Sequence, residues 1–429
     1  MSASLLVVGG GGREHAIAAT LAKSPRVAEV TVAPGNAGTA TEHKCRNAAL
    51  APTDLAGIVD FALAQGVDMV VVGPEDPLVA GLVDVLNEAG VAAFGPSAAA
   101  AALEGSKSHC KEFLIDNGIP TADAALFDDP AAALEHLEAM ADVPVVKATG
   151  LASGKGVIVA QTTAEAADAI ISMLLEDRFG EAGHEILLEE RLIGTEVSVL
   201  AFCDGRDFRV MPPVQDHKRL LAGDHGPNTG GMGAFHPSPI ADEALISQVG
   251  REVLAPTLAG LARQGRPYRG VLYAGMMLTS SGPKVIEFNC RFGDPETQVV
   301  LPLLESDLYE IFEACCAGDL SATDIVWSES AAVTVVMASQ GYPVRSSAPV
   351  AIEGLEAAAA TGAKVFHAGT AVRSGQPHTA GGRVLAVTAL APELSEASAA
   401  AYRGVAAVSF AGSQFRADIG GGVGAQVGA

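Results

Sequence analysis

The sequence predicts an α/β and α+β multidomain chain. An N-terminal parallel α/β sheet domain is followed by a central core with a small lid domain and a C-terminal α+β domain. Three observations predict it. The first hundred residues alternate short apolar runs with helical patterns, which argues for a parallel sheet with right-handed crossovers. Beyond LEGSKSHCKEFLIDNGIP (103–120) the signal turns to strands joined at glycine turns, with one helix in a smaller unit. From about residue 328 a further set of strands ends in a helix. The expected boundaries are 1–104, 105–327 with the lid at about 121–192, and 328–429. A chain of 429 residues has room for two to four cores of ordinary size.

Each element follows from its local pattern. SLLVVG (4–9), AEVTVA (28–33), VDMVVVG (67–73) and VAAFGP (91–96) are apolar runs stopped by Gly or Pro and read as strands. REHAIAATLAKS (13–24) and LVAGLVDVLNEAG (78–90) read as helices, and PSAAAAALEG (96–105) as a helix start. The lid holds VPVVKAT (143–149), GVIVA (156–160), a helix over 164–176 and the strand HEILLEE (184–190). EVSVLAFCDGRDFRV (196–210) turns at Asp204-Gly205, and GVLYAGMMLTSSGPKVIEFNC (270–290) at Ser281-Gly282. AVTVVMAS, AKVFHAGT, GGRVLAVTAL and a helix around 393–407 make the last unit. The final GGGVGAQVGA is expected to fray.

Composition excludes several classes. Hydrophobic residues make up 49% and mean hydropathy is +0.31, which excludes general disorder. No apolar run approaches the roughly 18 residues that a membrane span needs. MSASLLVVGGGG has no basic segment before its apolar run, so no signal peptide is expected. The cysteines, at 45, 110, 203, 290, 315 and 316, form no CxxC pair and read as reduced thiols of a cytoplasmic protein. A net charge of −23 with no basic stripe argues against nucleic acid as a partner. It does not exclude anionic substrates, because surface charges beyond about 8 Å are largely screened at physiological salt.

Four stretches carry chemistry. Gly9–Gly12, followed by Arg13-Glu14-His15, sits at the first βα turn. A dinucleotide fingerprint needs GxGxxG and an acid ending the second strand. Here His15 stands where the third glycine belongs, and the second strand ends Ala33-Pro34-Gly35. Nicotinamide binding is disfavoured, leaving either a tight turn or an anion held at the helix N-terminus. PGNAGT (34–39) and GPEDPL (73–78) follow later strands, so three loops share one carboxyl edge of the sheet.

GLASGKG (150–156) looks like a P-loop, but only three residues separate Gly150 from Gly154, and Gly156 follows Lys155 where Ser or Thr is needed. It also lies between two strands rather than before a helix. A glycine-rich hairpin folding over phosphates fits better than a plain flexible loop. In VIEFNCRFGDPE (285–296), strand alternation puts Glu287, Asn289 and Arg291 on one face and Ile286, Phe288 and Cys290 on the other. Two oxygen ligands two residues apart suit a divalent cation, and the guanidinium suits a two-pronged carboxylate contact. QDHKR (215–219) and GPNTGGMG (226–233) offer Lys218 and backbone N–H groups to an anion, or form a surface loop. His15, His217 and His236 have no metal-ligand spacing and read as hydrogen-bonding histidines.

Lys107 in EGSK, Lys147 ahead of a glycine-rich loop, EERLIGTE (189–196) and Glu287-x-Asn289 together resemble the ATP-grasp ligases. More closely, GGREHA, APGNAGTA, VGPEDPL, LEGSK, GLASGKGV, QDHKR, GPNTGGMGA, IEFNCRFGDPETQ, KVFHAGT and GGRVL resemble the phosphoribosylamine–glycine ligase (glycinamide ribonucleotide synthetase) family, from about residue 5 to 420.

The resemblance implies an ATP-grasp core with a lid, and ATP-dependent ligation of glycine to 5-phosphoribosylamine in purine biosynthesis. It implies ATP as co-substrate, Mg²⁺ or Mn²⁺ as metal, and a cytoplasmic monomer with no nucleic-acid or membrane partner. Residue by residue, it implies that Lys107 and Lys147 hold ATP phosphates and that Gly154, Lys155 and Gly156 close over them. Glu189, Arg191 and Leu192 would meet adenine and Glu196 the ribose. Glu287 and Asn289 would bind the metal. Arg291 and Lys155 are the expected catalytic residues, Arg291 also holding the substrate carboxylate. Gly10, Gly11, Gly12, Arg13, Asn36, Asp216, Lys218, Asn228, Thr229, Gly230 and Gly231 would surround phosphoribosylamine. Two departures stand out. Thr149 occupies a position where the family usually has Asp, and VLYAGMML, the strand before Glu-x-Asn, lacks the acid many ATP-grasp ligases carry there.

Overall fold

Val7, Val32, Val71 and Phe94 are fully buried residues of successive strands in the N-terminal sheet, whose two faces are covered by helices. The computed structural model describes residues 2–152, 156–176 and 178–421. Gly154, Lys155 and the final residues 422–429 lie outside the described residues. The sheet is parallel, in the order Cys45–Asn47, Val27–Pro34, Ala3–Gly9, Met69–Val72, Ala92–Phe94. The short strand Cys45–Asn47 has no apolar run to announce it. The helix expected over 78–90 is two helices, Glu75–Val79 and Leu82–Glu88, because Gly81 takes a left-handed conformation (φ 89°) that ends one and starts the next.

The lid is a four-stranded antiparallel sheet in the order Ala124–Phe127, Ile186–Glu189, Val145–Ala148, Val157–Val159, with helices Pro130–Ala139 and Thr163–Leu174 against it. Facing it is a second antiparallel sheet, Phe208–Val210, Thr195–Asp204, Arg269–Thr279, Gly282–Asn289. A helical stretch absent from the sequence reading, Glu243–Val249 through Ala255–Arg263 with a π-turn between, interrupts these strands. Gly250 and Pro256 break its periodicity, which hid it.

The expected apolar face Ile286, Phe288, Cys290 needs correction. Gly275 pairs with Glu287 and Met276 with Val285, so Ile286 is the extra residue of a β-bulge. The bulge shifts the alternation by one, burying Val285, Phe288 and Cys290 and leaving Ile286 half-buried.

The third sheet, all antiparallel, runs Gln215–Asp216, Gly233–His236, Ala331–Ala338, Arg383–Ala391, Lys364–His367. Its first two strands come from chain far upstream of its other three. Helix Leu394–Ala407 packs Ala397, Ala401 and Val405 against Val333, Val335 and Val387. Arg416, almost wholly buried, ties the chain's last described segment to the exposed hairpin Arg219–Leu221/His225–Asn228. Its guanidinium donates to Arg219 O (3.1 Å), Asp224 Oδ1 (2.7 Å) and Asp418 Oδ2 (2.6 Å). An aromatic cluster of Phe94, Phe202, Phe292 and Phe312, with Phe94 stacked on Phe312 at 3.8 Å, forms the core behind the central strands. Among the described residues no helix is long and apolar enough to cross a membrane.

The first and last units meet at buried histidines. His367 N–H donates to His15 Nδ1 (2.8 Å), which leaves the His15 proton on Nε2 facing Glu42 Oε2 (3.3 Å). Burial, then the neighbouring His15 and Lys364, pushes the His367 pKa from 6.5 down to about 4. The unfolded chain therefore binds more protons between those values, so stability present above pH 6.5 is lost as pH falls toward 4. The loss amounts to about 3 kcal/mol for this side chain. Urea unfolding of wild type and His367→Asn at pH 7 and pH 5 is expected to show a smaller acid loss in the variant.

Candidate functional site

The cleft between the lid and the central sheet holds Glu287, a carboxylate under the influence of four cations. Glu287 lies on the strand Gly282–Asn289, and its side chain keeps 36% of its surface open. Burial alone would raise its pKa; Lys218, Lys147, Lys107 and Arg291 together outweigh burial and lower it. These four cations are drawn from the loop after Gln215–Asp216, the lid strand Val145–Ala148, the first turn of helix Lys107–Asp116 and the segment after Asn289. The sequence candidates Lys107, Lys147, Lys218, Glu287 and Arg291, over 180 residues apart at the extremes, thus act on one spot.

Each cation has its own seating. The Lys107 ammonium donates to Gly150 O (3.3 Å), and burial draws its pKa down, with Glu287 opposing. Lys147, buried, bridges the two sheets by pairing with Glu189 Oε2 and reaching Ile286 O (3.3 Å). Lys218 pairs with Glu196 Oε2 (3.2 Å) and faces Glu287 Oε1 (3.9 Å). Burial raises the Asp216 pKa to about 7, against the pull of Lys218.

Arg291 is held by the protein's own groups. Its Nε meets Glu75 Oε2 (3.1 Å), Nη1 donates to Phe292 O (3.3 Å), and Nη2 donates to Asn289 Oδ1 (3.0 Å) beside Glu104 Oε1 (2.9 Å). All three nitrogens are engaged in this arrangement, and two of the four acceptors are the carboxylates of Glu75 and Glu104. Glu75 is held down at about 2: burial opposes ionisation, while Arg291 and then Arg13 favour it.

The glycine-rich edge of the N-terminal sheet is filled from within. Glu14 folds back to accept from Gly11 N–H (2.6 Å) and Arg13 Nε (2.6 Å), and Arg13 N–H points at Asp294 Oδ2 (3.4 Å). Gly10 packs so tightly that a Cβ there would lie 2.6 Å from Gly35 O, while one at Gly12 would lie 2.4 Å from the Gln298 amide nitrogen. Asn36 donates to Gly10 O (3.0 Å) and His367 O (2.8 Å) and accepts from Gly38 and Thr39 N–H, so its side chain closes its own loop. Arg13 Nη1 donates to Phe292 O (3.1 Å) and stands 3.9 Å from Glu75, the carboxylate it shares with Arg291.

Across from it, Thr229 N–H and Oγ1–H both donate to Lys218 O, and Gly231 N–H donates to Thr229 Oγ1 (3.0 Å). Asn228 is exposed at the hairpin's end, paired with Arg219. Gly230 is clamped from both sides: its N–H donates to Tyr342 Oη (2.9 Å), and its carbonyl accepts from Arg383 (2.5 Å).

The remaining candidates line the lid's root. Arg191 is exposed and donates to Ala160 O (3.3 Å), Leu192 is half-buried, and the Gly156 carbonyl accepts from Ala148 N–H (2.8 Å). Thr149 sits at the pivot: its carbonyl accepts from Lys107 N–H (2.7 Å) and its N–H donates to Glu185 O (3.1 Å). With both backbone groups committed to the hinge, Thr149→Asp is expected to change the ATP KM by less than about tenfold, or 1.4 kcal/mol. A steady-state ATP titration of both proteins checks this.

Sequence reasoning missed Glu75, Glu104, Lys111, Asp294, Glu296 and Arg383. Five of them lie in the quoted segments GPEDPL, LEGSK, GDPE and GGRVL. Glu296, buried, accepts from Tyr273 Oη–H (3.0 Å) beneath the cleft. Among the described residues no group of three or more His, Cys, Asp or Glu could hold a metal ion alone. Glu287 and the second lone pair of Asn289 Oδ1 are hard oxygen donors that fit a divalent cation sharing its remaining ligands with phosphate.

The two antiparallel sheets that face each other lie within residues 105–297, which match an ATP-grasp domain model and place the chain in the ATP-grasp class. The chain belongs to the phosphoribosylglycinamide synthetase family: its N domain model matches residues 3–104, its ATP-grasp (A) domain model 105–297 and its C domain model 332–422. Among curated relatives, the chain is 51% identical over 418 residues to phosphoribosylamine–glycine ligase of Xylella fastidiosa, covering 97% of each. It is 53% identical over 423 residues to the trifunctional purine biosynthetic protein adenosine-3 of Gallus gallus, and spans 42% of that protein's length. Among solved structures, phosphoribosylamine–glycine ligase of Thermotoga maritima superposes with a TM-score of 0.82 at 32% identity, over 96% of this chain and 99% of that one.

Proposed function

We propose that the chain joins glycine to 5-phosphoribosylamine at the expense of ATP, giving glycinamide ribonucleotide, ADP and phosphate, in the cytoplasm and as a monomer. The observation that carries the reading is the convergence of Lys107, Lys147, Lys218 and Arg291 on Glu287. Three units, 1–104, 105–327 and 328–429, divide the work: amine substrate, nucleotide and closure.

An amine does not displace oxide from a carboxylate, so the carboxylate must first gain a leaving group. A glycine carboxylate oxygen attacks the γ-phosphorus of ATP, the bond to the β-bridging oxygen breaks, and ADP leaves. The amine of 5-phosphoribosylamine then attacks the carbonyl carbon of glycyl phosphate. The C–O bond breaks, phosphate departs and the amine sheds a proton to complete the amide.

Lys107 and Lys147 neutralise the ATP phosphates, the loop containing Gly154, Lys155 and Gly156 covers them, and the backbone of Glu189–Leu192 meets adenine, with Glu196 at the ribose. Arg291 stabilises charge at the acyl phosphate through a nitrogen exchanged from its present partners. Gly10–Arg13, Asn36, Asp216, Lys218 and Asn228–Gly231 border the amine substrate. Glu287 and Asn289 would hold Mg²⁺ or Mn²⁺, which supplies further charge neutralisation at the phosphates. The protein's own contribution is positioning and fixed charge, and well-oriented reactants reach effective molarities of roughly 10⁵ M or more.

The test is a coupled ADP assay with phosphoribosylamine generated in situ, with and without glycine. ADP release must require both substrates; release independent of glycine would refute the reading.

A further inference from the structure

Lys111 belongs to no motif, yet it stands where the lid enters and leaves the rest of the molecule. On helix Lys107–Asp116 it lies one turn after Lys107, on the same helix face. Lys107 reaches the loop carbonyl of Gly150, whereas Lys111 donates to Thr121 Oγ1 (2.7 Å) and Ala122 O (2.8 Å) and pairs with Glu189 Oε1 (2.7 Å). Thr121 and Ala122 lead into the first lid strand, Ala124–Phe127, and Glu189 ends the last, Ile186–Glu189. Thr121 also donates to Val285 O (2.9 Å), which fixes this junction to the strand that carries Glu287.

The two lysines on Glu189 are committed unequally. An ammonium has three donors, and Lys111 spends all three on close acceptors. Lys147 has Glu189 Oε2 and, at 3.3 Å, Ile286 O, so one donor is left for another acceptor. Lys111, Lys147 and Glu189 are all nearly inaccessible to water, at 6%, 5% and 5% exposure. A carboxylate so buried holds its counter-charge tightly, because stripping it leaves an uncompensated buried charge. Were Lys147 its only partner, Glu189 would keep it from any phosphate.

We propose that Lys111 is a positioning residue: by permanently neutralising Glu189 it frees Lys147 to turn to the nucleotide phosphates, while its bonds to residues 121 and 122 fix the pivot of the lid. This rests on the reading of Lys147 as a phosphate ligand. Without Lys111, Glu189 becomes a trap for Lys147.

The trap gives the test a sign that a purely structural role does not have. Lys111→Met is expected to raise the ATP KM by about tenfold or more, in the range that supporting contacts usually command, with kcat and the glycine KM changed far less. Adding Glu189→Gln to that variant removes the trap and should return the ATP KM toward wild type, a strong non-additivity. Lys111→Arg, which keeps the charge, should stay within about threefold of wild type, consistent with a coupling below 1 kcal/mol. ADP binding by calorimetry gives the same ranking without turnover.

A Lys111→Met enzyme with unchanged ATP KM overturns the proposal, and so does a double variant no better than the single one. If Lys111→Met fails to fold, the neutral pair Lys111→Met/Glu189→Gln and Lys111→Arg decide: loss of ATP binding in either overturns it. Lys147→Met, measured alongside, separates the two readings. Unchanged ATP affinity there refutes the phosphate role of Lys147 and this proposal with it. Weakened affinity without rescue by Glu189→Gln refutes the proposal alone.

Discussion

Replacing Glu287 with alanine is expected to cut glycine-dependent ADP release by about 10²–10³-fold, the loss typical of removing one preorganised electrostatic contact. The ATP KM should stay constant or fall. Lys107, Lys147 and Lys218 all act on Glu287, so removing this carboxylate leaves more positive charge for the phosphates. Binding and turnover therefore move apart, and steady-state kinetics with ATP as the varied substrate reads both. The side chain is open to the cleft rather than packed, so circular dichroism and the unfolding midpoint should barely change. A variant that turns over ATP undiminished would remove Glu287 from the metal site.

Replacing Arg291 with methionine is expected to act on stability and activity together. The guanidinium is the common partner of Glu75 and Glu104, and Glu104 is itself buried, accepting from Cys290 N–H (2.6 Å). Methionine fills the aliphatic volume but leaves buried Glu104 and half-buried Glu75 without their shared cation, at a cost of about 3–5 kcal/mol. Burial already raises the Glu104 pKa, so in the variant this side chain should take up a proton, and the loss should lessen as pH falls. Urea unfolding at pH 7 and pH 5 measures this. Arg291→Met/Glu104→Gln should recover part of the stability and none of the ligase activity. Recovery of activity would mean that Arg291 only holds the carboxylates apart.

What the sequence made legible was whatever local chemistry alone decides. Apolar runs ended by glycine located four of the five parallel strands, and glycine turns located the hairpins that carry Glu196 and Glu287. Motif spacing named the cations that surround Glu287. What stayed hidden depends on partners distant in the chain. Cys45–Asn47 is a strand because Val27–Pro34 offers it an edge, not because CRN favours one. The bulge at Ile286 is set by the register against Gly275 and Met276, so simple alternation gave the wrong buried face. Arg383 and Gly230 are 153 residues apart, and nothing in either segment announces that one holds the other. Lys111 differs again: it lies one turn from a chosen residue, but a buried lysine and a surface lysine read alike in a sequence.

The Arg416 anchor also sets a schedule. The hairpin that ends at Asn228 has the Arg219 carbonyl tied to a guanidinium 197 residues downstream. During synthesis, domains fold in the order in which they leave the ribosome, so the nucleotide cleft can assemble while this hairpin still lacks its support. The segment Asn228–Gly231, which we place beside the amine substrate, gains this support only once Arg416 and Asp418 have been made. A newly made chain thus gains the strands of its central cleft before this hairpin gains its support.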